Sequence, residues 1–174
     1  YSESRAGGIL SLAVQAGYNS GAQSGLNTTD VLNVAVSLGN TSGGSVSTYG
    51  AVNLAVNLFG DSSVVAAGVG NSALNVTGAN SVYAIGRFNN AVNLFGTASN
   101  IQAGGNPTAT LNSAANIGGS NNTVVAGTGP VAISIALLRS GSTITKSGPG
   151  FNINGIVVGG AAATSGKKAT KVSG

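Results

Sequence analysis

The chain has 174 residues, of which 42% are hydrophobic and only 6% are charged; its net charge at pH 7 is +4, and it contains 29 glycines, no cysteine and no histidine. This length fits one domain, and a weakly charged chain rich in aliphatic residues is not the composition of a disordered protein. Without cysteine or histidine, the sequence excludes disulfide frameworks, thiol nucleophiles, imidazole bases and the usual zinc and haem ligands.

The first part of the chain divides into a leader and the start of a repeat. We predict that residues 1–8 are a loose leader and that the folded part begins at Ile9. The segment Leu12–Gln15 (LAVQ) is similar to Val34–Ser37 (VAVS) and then to Leu54–Asn57 (LAVN). These related segments indicate a repeat whose early copies differ in length.

From residue 55 onward the repeat settles to a period of 18 residues. Ala55–Gly60 (AVNLFG) returns as Ala73–Gly78 (ALNVTG) and again as Ala91–Gly96 (AVNLFG). So short a period is typical of a solenoid, in which each coil lies on the one before. Glycine at this density excludes helices, because each glycine costs a helix about 1 kcal/mol relative to alanine. We therefore predict an all-β protein, a single parallel β-solenoid (β-helix) over residues 9–158 with three short walls per coil.

Stacked positions of successive coils form columns that face either inward or outward. We expect the larger aliphatic side chains to face inward. On one wall these are Val56, Leu74 and Val92 with Leu58, Val76 and Leu94, and on the next wall they are Val65, Tyr83 and Ile101 with Ala67, Ile85 and Ala103. The alternate positions of the first wall would then face outward. They carry an asparagine column of Asn57, Asn75 and Asn93, flanked by a candidate contact strip of Phe59, Thr77 and Phe95.

Each of these two outer features has two interpretations. The asparagines form either a ladder of side-chain amides bonded to their copies above and below, which we favour, or a row of amides that faces a ligand. Phe59 and Phe95 form either an exposed apolar contact surface or a pair of rings tucked under a corner loop. An inverted assignment of inside and outside would also change their position.

The last part of the repeat is less regular and ends in a polar tail. The last predicted strands lie within Val131–Leu138 and Phe151–Val158, and the first of these is the longest apolar run of the chain. It is far below the roughly 20 residues that a membrane-spanning helix needs. Residues 159–174 are predicted to be a flexible basic tail, and they hold three of the seven basic residues. Because the other cations are scattered, we predict no groove for nucleic acid.

The acidic residues are too few and too dispersed for catalysis. The chain contains only Glu3, Asp30 and Asp61, which fall in the leader and at different phases of the coil. A carboxylate pair for acid–base chemistry is therefore not expected. We predict that the chain is not an enzyme, that it has no catalytic or metal-binding residue, and that it binds no cofactor.

Two resemblances add to this interpretation. Ala91–Gly96, Ser147–Gly155 and the Gly/Ala/Lys tail resemble secreted Ala/Gly/Asn-rich repeat proteins of the mycobacterial and actinobacterial cell envelope. That resemblance implies a secreted or cell-surface location and no known activity. Separately, Ser120–Gly127 (SNNTVVAG) is similar to the repeat of plant ice-recrystallisation inhibitors, which are β-rolls.

These observations lead to a functional hypothesis and an alternative. We predict a non-enzymatic structural or surface protein that self-associates into fibres or oligomers. Lateral association would use the contact strip. End-to-end association would use the apolar residues of the two ends, which are Ile9, Leu10, Leu12, Ile156 and Val158. The alternative is a binding module for ice or a polysaccharide surface that uses rows of Thr, Ser and Asn.

Overall fold

The computed structural model describes residues 2–18, 20–40, 43–127, 129–160 and 163–167. Within these ranges the structure is all-β, without helix, and it forms a parallel solenoid of about seven turns, so the predicted fold is confirmed. In chain order the strands are β1 (Glu3–Ala6), β2 (Leu12–Gly17), β3 (Ser20–Ser24), β4 (Val34–Asn40), β5 (Gly44–Ala51), β6 (Leu54–Leu58), β7 (Ser63–Val69), β8 (Ser72–Asn75), β9 (Ser81–Arg87), β10 (Asn90–Thr97), β11 (Asn100–Gly104), β12 (Ser113–Ser120), β13 (Thr123–Ala126), β14 (Ala132–Leu137), β15 (Ser142–Lys146), β16 (Gly150–Ile153), β17 (Ile156–Val158) and β18 (Ala163–Lys167).

The strands form two sheets rather than the three walls that we predicted. Sheet I has the order β1-β3-β5-β7-β9-β11-β13-β15-β18, and sheet II has the order β17-β16-β14-β12-β10-β8-β6-β4-β2. Each turn therefore contributes one strand to each sheet. The links from sheet I to sheet II in the central turns are only two residues long, as in Val52-Asn53, Gly70-Asn71 and Phe88-Asn89. Links this short leave no room for a strand of a third wall.

The register of the sheets reproduces the period of the sequence in the central coils. Leu54 of β6 pairs with Ser72 of β8, which pairs in turn with Asn90 of β10. In sheet I the step from Ser81 to Asn100 is one residue longer. The 18-residue period is therefore one turn of the solenoid, and the longer steps carry their additional residues between strands.

The interior holds small side chains, and the inward and outward faces are opposite to our assignment on sheet II. Ala55, Ala73 and Ala91 are buried there, whereas all six residues predicted inside face outward and are only partly buried. On sheet I, Ile101 and Ala103 are buried as expected, but Val65, Tyr83, Ala67 and Ile85 are not. Because the two-residue links hold the sheets close together, the space between them fits alanine, valine and asparagine better than leucine.

The corner that leads into sheet II places large apolar residues in the left-handed region. Leu32, Val52, Phe88, Leu111 and Val131 have φ angles of 54°, 57°, 54°, 56° and 56°. The left-handed conformation costs a non-glycine residue roughly 1–2 kcal/mol. Each of these residues donates its backbone N–H to a carbonyl of the preceding coil, as Val52 does to Val31 at 2.8 Å. The regular hydrogen-bonding of the stack therefore maintains a conformation that the side chain alone disfavours.

Replacing Val52 by glycine should leave stability almost unchanged. Glycine relieves the left-handed strain but adds entropy to the unfolded chain and loses some burial of a side chain that is 55% exposed. We expect the free energy of unfolding, measured by urea denaturation, to change by no more than about 0.5 kcal/mol. Val65→Gly, in the middle of β7, should cost about 2 kcal/mol. Equal losses in the two variants would contradict the interpretation of the corner.

Both ends of the solenoid differ from the predicted domain limits. Residues 3–6, which we placed in the leader, form β1 and pair in parallel with β3. At the other end the chain reverses direction, because β17 pairs antiparallel with β16 and β18 pairs antiparallel with β15. Residues 163–167 of the predicted flexible tail are thus a strand. Lys168 and Lys171, which the basic tail also included, lie outside the described residues.

Candidate interaction surfaces

The asparagine column lies inside the solenoid and forms a continuous ladder. The side chain of Asn75 donates from Nδ2 to Oδ1 of Asn57 at 2.7 Å, and Asn93 donates in the same way to Asn75 at 2.7 Å. Asn116 extends the ladder by donating to Asn93 at 2.8 Å. All four side chains are buried, so they are not available to a ligand, and the ligand-facing interpretation does not describe them.

Two further polar ladders lie at the corners, and our interpretation of the sequence missed them. At the corner into sheet II, Oδ1 of each buried asparagine accepts the backbone N–H of the next, as Asn53 does from Asn71 at 3.0 Å. That ladder comprises Asn33, Asn53, Asn71, Asn89 and Asn112. At the corner into sheet I the ladder comprises Ser62, Asn80, Ser99, Asn122 and Ser142. The 18-residue spacing of Asn53, Asn71 and Asn89 was the signal that could have revealed the first of them.

The outer face of sheet II is apolar along the length of the rod. Three columns of outward side chains cross it, one residue of each column per turn. Given turn by turn, the residues of these three columns are Leu12, Val14 and Ala16; Val34, Val36 and Leu38; Leu54, Val56 and Leu58; Ser72, Leu74 and Val76; Asn90, Val92 and Leu94; Ser113, Ala115 and Ile117; and Ile133, Ile135 and Leu137. We call these residues the apolar face. None of them is charged.

The predicted contact strip borders the apolar face. Phe59 and Phe95 are 68% and 69% exposed and stand at the corner where the chain leaves sheet II, with the partly buried Thr77 between them. The rings are therefore not tucked under a loop. Leu138, which the sequence did not single out, stands in the same column and is 80% exposed. Phe59 covers Gly39 of the preceding coil, where an added Cβ would lie 2.6 Å from the ring.

The residues predicted to mediate end-to-end contact fall into two groups. Ile9, Leu10 and Leu12 are exposed in the first turn, but Leu12 belongs to the apolar face and Leu10 to the corner beside it. Leu10 and Leu12 therefore also extend the lateral surface. Ile156 and Val158 are exposed on β17, the antiparallel strand at the C-terminal edge of sheet II. The first group therefore lies at the N-terminal end of the rod, where β2 is the edge strand of sheet II, and the second group lies at the C-terminal end.

A polar groove runs along sheet I, beside the corner that leads into it. Its floor and walls come from four successive coils, and its volume is about 580 Å³. The lining residues are Asp61, Ser63, Ala79, Asn80, Ser81, Ala98, Ser99, Asn100, Asn121, Asn122 and Thr123. A shallower continuation reaches Gly44 and Ser45 of the coil before. The groove is lined mainly by hydroxyl and amide groups, with one carboxylate at Asp61.

The three acidic residues have separate surroundings. Glu3 forms an exposed ion pair with Arg5. Asp30 is buried, where its Oδ1 accepts the backbone N–H of Gly50 at 3.0 Å and its Oδ2 accepts that of Asn27 at 3.1 Å. Asp61 lines the polar groove. In the described ranges, no three acidic residues, histidines or cysteines are grouped so that they could hold a metal ion.

Comparison with family models, curated proteins and solved structures gives no significant match to this chain. In the part of the chain that the structure describes, no helix is long and apolar enough to cross a membrane. The surfaces described above are therefore the basis for assigning a function.

Proposed function

We propose that this chain is a non-enzymatic structural protein whose copies associate side by side through the apolar face. The observation that carries the proposal is the outer surface of sheet II, which is aliphatic except at Ser72, Asn90 and Ser113 and holds no charged side chain over seven successive strands, β2 to β14. Isolated aliphatic residues on a protein surface are ordinary, but a contiguous apolar surface usually marks an interface.

The size of the apolar face is appropriate for a stable contact. About seven turns at ~4.8 Å each and about five residues across give the three columns about 550 Å², and the corner residues on either side bring the contact surface to about 800 Å². This is about the area that each partner buries in a standard protein–protein interface. It exceeds the ~300–600 Å² of the largest apolar patch on a typical monomer.

The repeat of the apolar face favours a second copy of this chain as its partner. Side chains recur along the rod at the spacing between strands, and an identical face has the same spacing, so the rows of two copies can interdigitate over the whole length. A twofold axis would place the same surface on both sides of the contact. The opposite side of the rod mixes serine, threonine and glutamine with Val65, Tyr83 and Ile85, so it does not match the apolar face, and this contact closes after two copies. Axial growth through Ile156 and Val158 would be a separate contact.

The test is a charge placed at the centre of the apolar face. We expect the unmodified chain to sediment as a dimer or larger species and Val56→Lys/Val92→Lys to sediment as a monomer, because the contact would bury two lysines without partners. The matched control is Val65→Lys, which places the same charge on a half-buried outward valine of sheet I and should leave association unchanged. Circular dichroism of each variant verifies that it is folded.

Two results would contradict the proposal. One is an unmodified chain that remains monomeric at high concentration, and the other is a double variant that associates like the unmodified chain. Phe59→Ser/Phe95→Ser should weaken association less than the lysine variants, because both rings lie at the rim of the face. A secreted or cell-surface location remains a prediction based on the resemblance in composition.

A further inference from the structure

The polar groove of sheet I runs parallel to the axis of the solenoid. Its outward side chains come from one column of the sheet, in which Ser45 pairs with Ser63, Ser63 with Ser81, Ser81 with Asn100, and Asn100 with Thr123. Each step is one strand spacing, so the column extends over roughly 20 Å. A ligand that follows it would meet a hydroxyl or an amide at every step.

The side chains of this column are available to a ligand, whereas their buried neighbours are not. Asn80, Ser99 and Asn122, which form the floor of the groove, belong to the corner ladder and have their partners within the protein. In the described part of the chain, no hydrogen bond is made by the side chains of the groove's outward column. They are Ser63, Ser81, Asn100 and Thr123. Their positions are set by the sheet, so binding would require little ordering of the site.

The chemistry of the groove indicates a neutral ligand rich in hydroxyl groups. Serine, threonine and asparagine side chains both donate and accept hydrogen bonds, as sugar hydroxyls do. Tyr83 lies two residues beyond Ser81 on the same outer face, and its ring offers a flat apolar surface for one side of a sugar ring. We propose that the groove binds a linear, uncharged polysaccharide that lies along the axis of the rod.

An ice surface fits the groove less well. An ice plane is flat and regular, whereas the column of this site mixes serine, asparagine and threonine. The outer face of sheet I beside it is also uneven, since Val65, Tyr83 and Gln102 are neighbours in one column. The groove opens beside the corner that carries Phe59 and Phe95, and no residue of the apolar face lines it. Polysaccharide binding and self-association therefore use different side chains.

The experiment is calorimetric titration of the full chain with three soluble probes, the hexasaccharides of cellulose, chitin and starch. We expect at least one of them to bind, and Ser81→Ala/Asn100→Ala to reduce its affinity by about tenfold or more, because two side-chain partners are removed. Ser113→Ala, which changes an outward serine of sheet II, is the matched control and should bind normally. Tyr83→Ala should also weaken binding.

The possible results separate this proposal from the others. Absence of binding to all three probes, or an unchanged affinity in Ser81→Ala/Asn100→Ala, would overturn it. Inhibition of ice recrystallisation that is lost in the same variant would assign the groove to ice and would also overturn it. Val56→Lys/Val92→Lys should bind the probe as the unmodified chain does, so failure of self-association and failure of polysaccharide binding are distinguishable.

Discussion

Replacing Asn75 by aspartate should lower the free energy of unfolding by about 3–5 kcal/mol. Asn75 is fully buried, donates to Asn57, and accepts from both Asn93 at 2.7 Å and Asn80 at 3.0 Å. Aspartate has nearly the same shape but lacks the amide donor, so Oδ1 of Asn57 would lose the hydrogen bond that it accepts from position 75. Either an acceptor loses its partner or a charge is buried, and both are costly.

The matched control for this variant is Asn100→Asp, and pH provides a second readout. Asn100 faces outward on sheet I and is exposed, so the same change there should alter the stability of the free protein by no more than about 0.5 kcal/mol. Burial should raise the pKa of the carboxyl introduced at position 75 above its value in the unfolded chain, roughly 3.9. The folded state then binds the proton more tightly, so the stability deficit should shrink as pH falls towards 4. Urea denaturation at several pH values measures both effects, and equal losses in the two variants would contradict the ladder's role.

Replacing Gly68 by alanine should be at least as damaging, with an expected loss of about 4 kcal/mol or more. Gly50, Gly68 and Gly86 occupy one column of sheet I. Gly68 has a φ of 113°, a backbone conformation that only glycine adopts without strain. A Cβ on Gly68 would lie 2.1 Å from the carbonyl oxygen of Gly86 in the next coil. That atom is backbone within the stack, so it cannot move aside without separating two coils.

Gly21→Ala is the control for the glycine column. Gly21 is also in sheet I, but a Cβ added to it would lie 3.8 Å from its nearest neighbour, the carbonyl oxygen of Glu3, which is an ordinary contact distance. The change should be neutral or slightly stabilising, because alanine reduces the entropy of the unfolded chain. Thermal denaturation followed by circular dichroism compares the two variants. A Gly68→Ala protein with the same melting temperature as the unmodified chain would contradict the close approach of the coils.

The sequence was sufficient to predict the class of fold because a solenoid repeats its contacts as it repeats its residues. The recurrence of Asn57 at Asn75 and Asn93 identified both the length of a coil and a column of amides. The structure places those three side chains in hydrogen-bonding contact. It also exposes Phe59 and Phe95. Periodicity therefore located the columns correctly even where their direction was misassigned.

The direction of the columns was misassigned because side-chain size was used as the guide. Leucine and valine are more often buried than asparagine in globular proteins. Here the short links between the sheets limit the width of the core, so Ala55 lies inside and Val56 outside. A contrary signal was present, since Ser72 and Asn90 share the parity of Leu74 and Val92. Polar residues at those positions fit an outer face better than a core.

The number of walls and the polar groove required knowledge of the corners. A corner residue with positive φ is expected to be glycine or asparagine, yet Val52, Phe88 and Val131 adopt this conformation. No pattern of β-branched or aromatic residues signals it, because the conformation is maintained by hydrogen bonds to another coil. The groove depends in turn on which side of each corner faces solvent, so the residues that line it could not be selected from the sequence alone.

The pairing of each coil with its immediate neighbours makes the length of the rod an adjustable quantity in evolution. Residues 72–89 begin and end at equivalent positions of two successive turns. Their removal would set Asn90 beside Leu54 and Asn93 beside Asn57, so the ladder, the two surfaces and the cross-section would continue unchanged in a rod shorter by ~4.8 Å. Duplication of the same segment would lengthen it equally. A gene that gains or loses such units therefore changes the distance that the rod can span without changing the packing of its core.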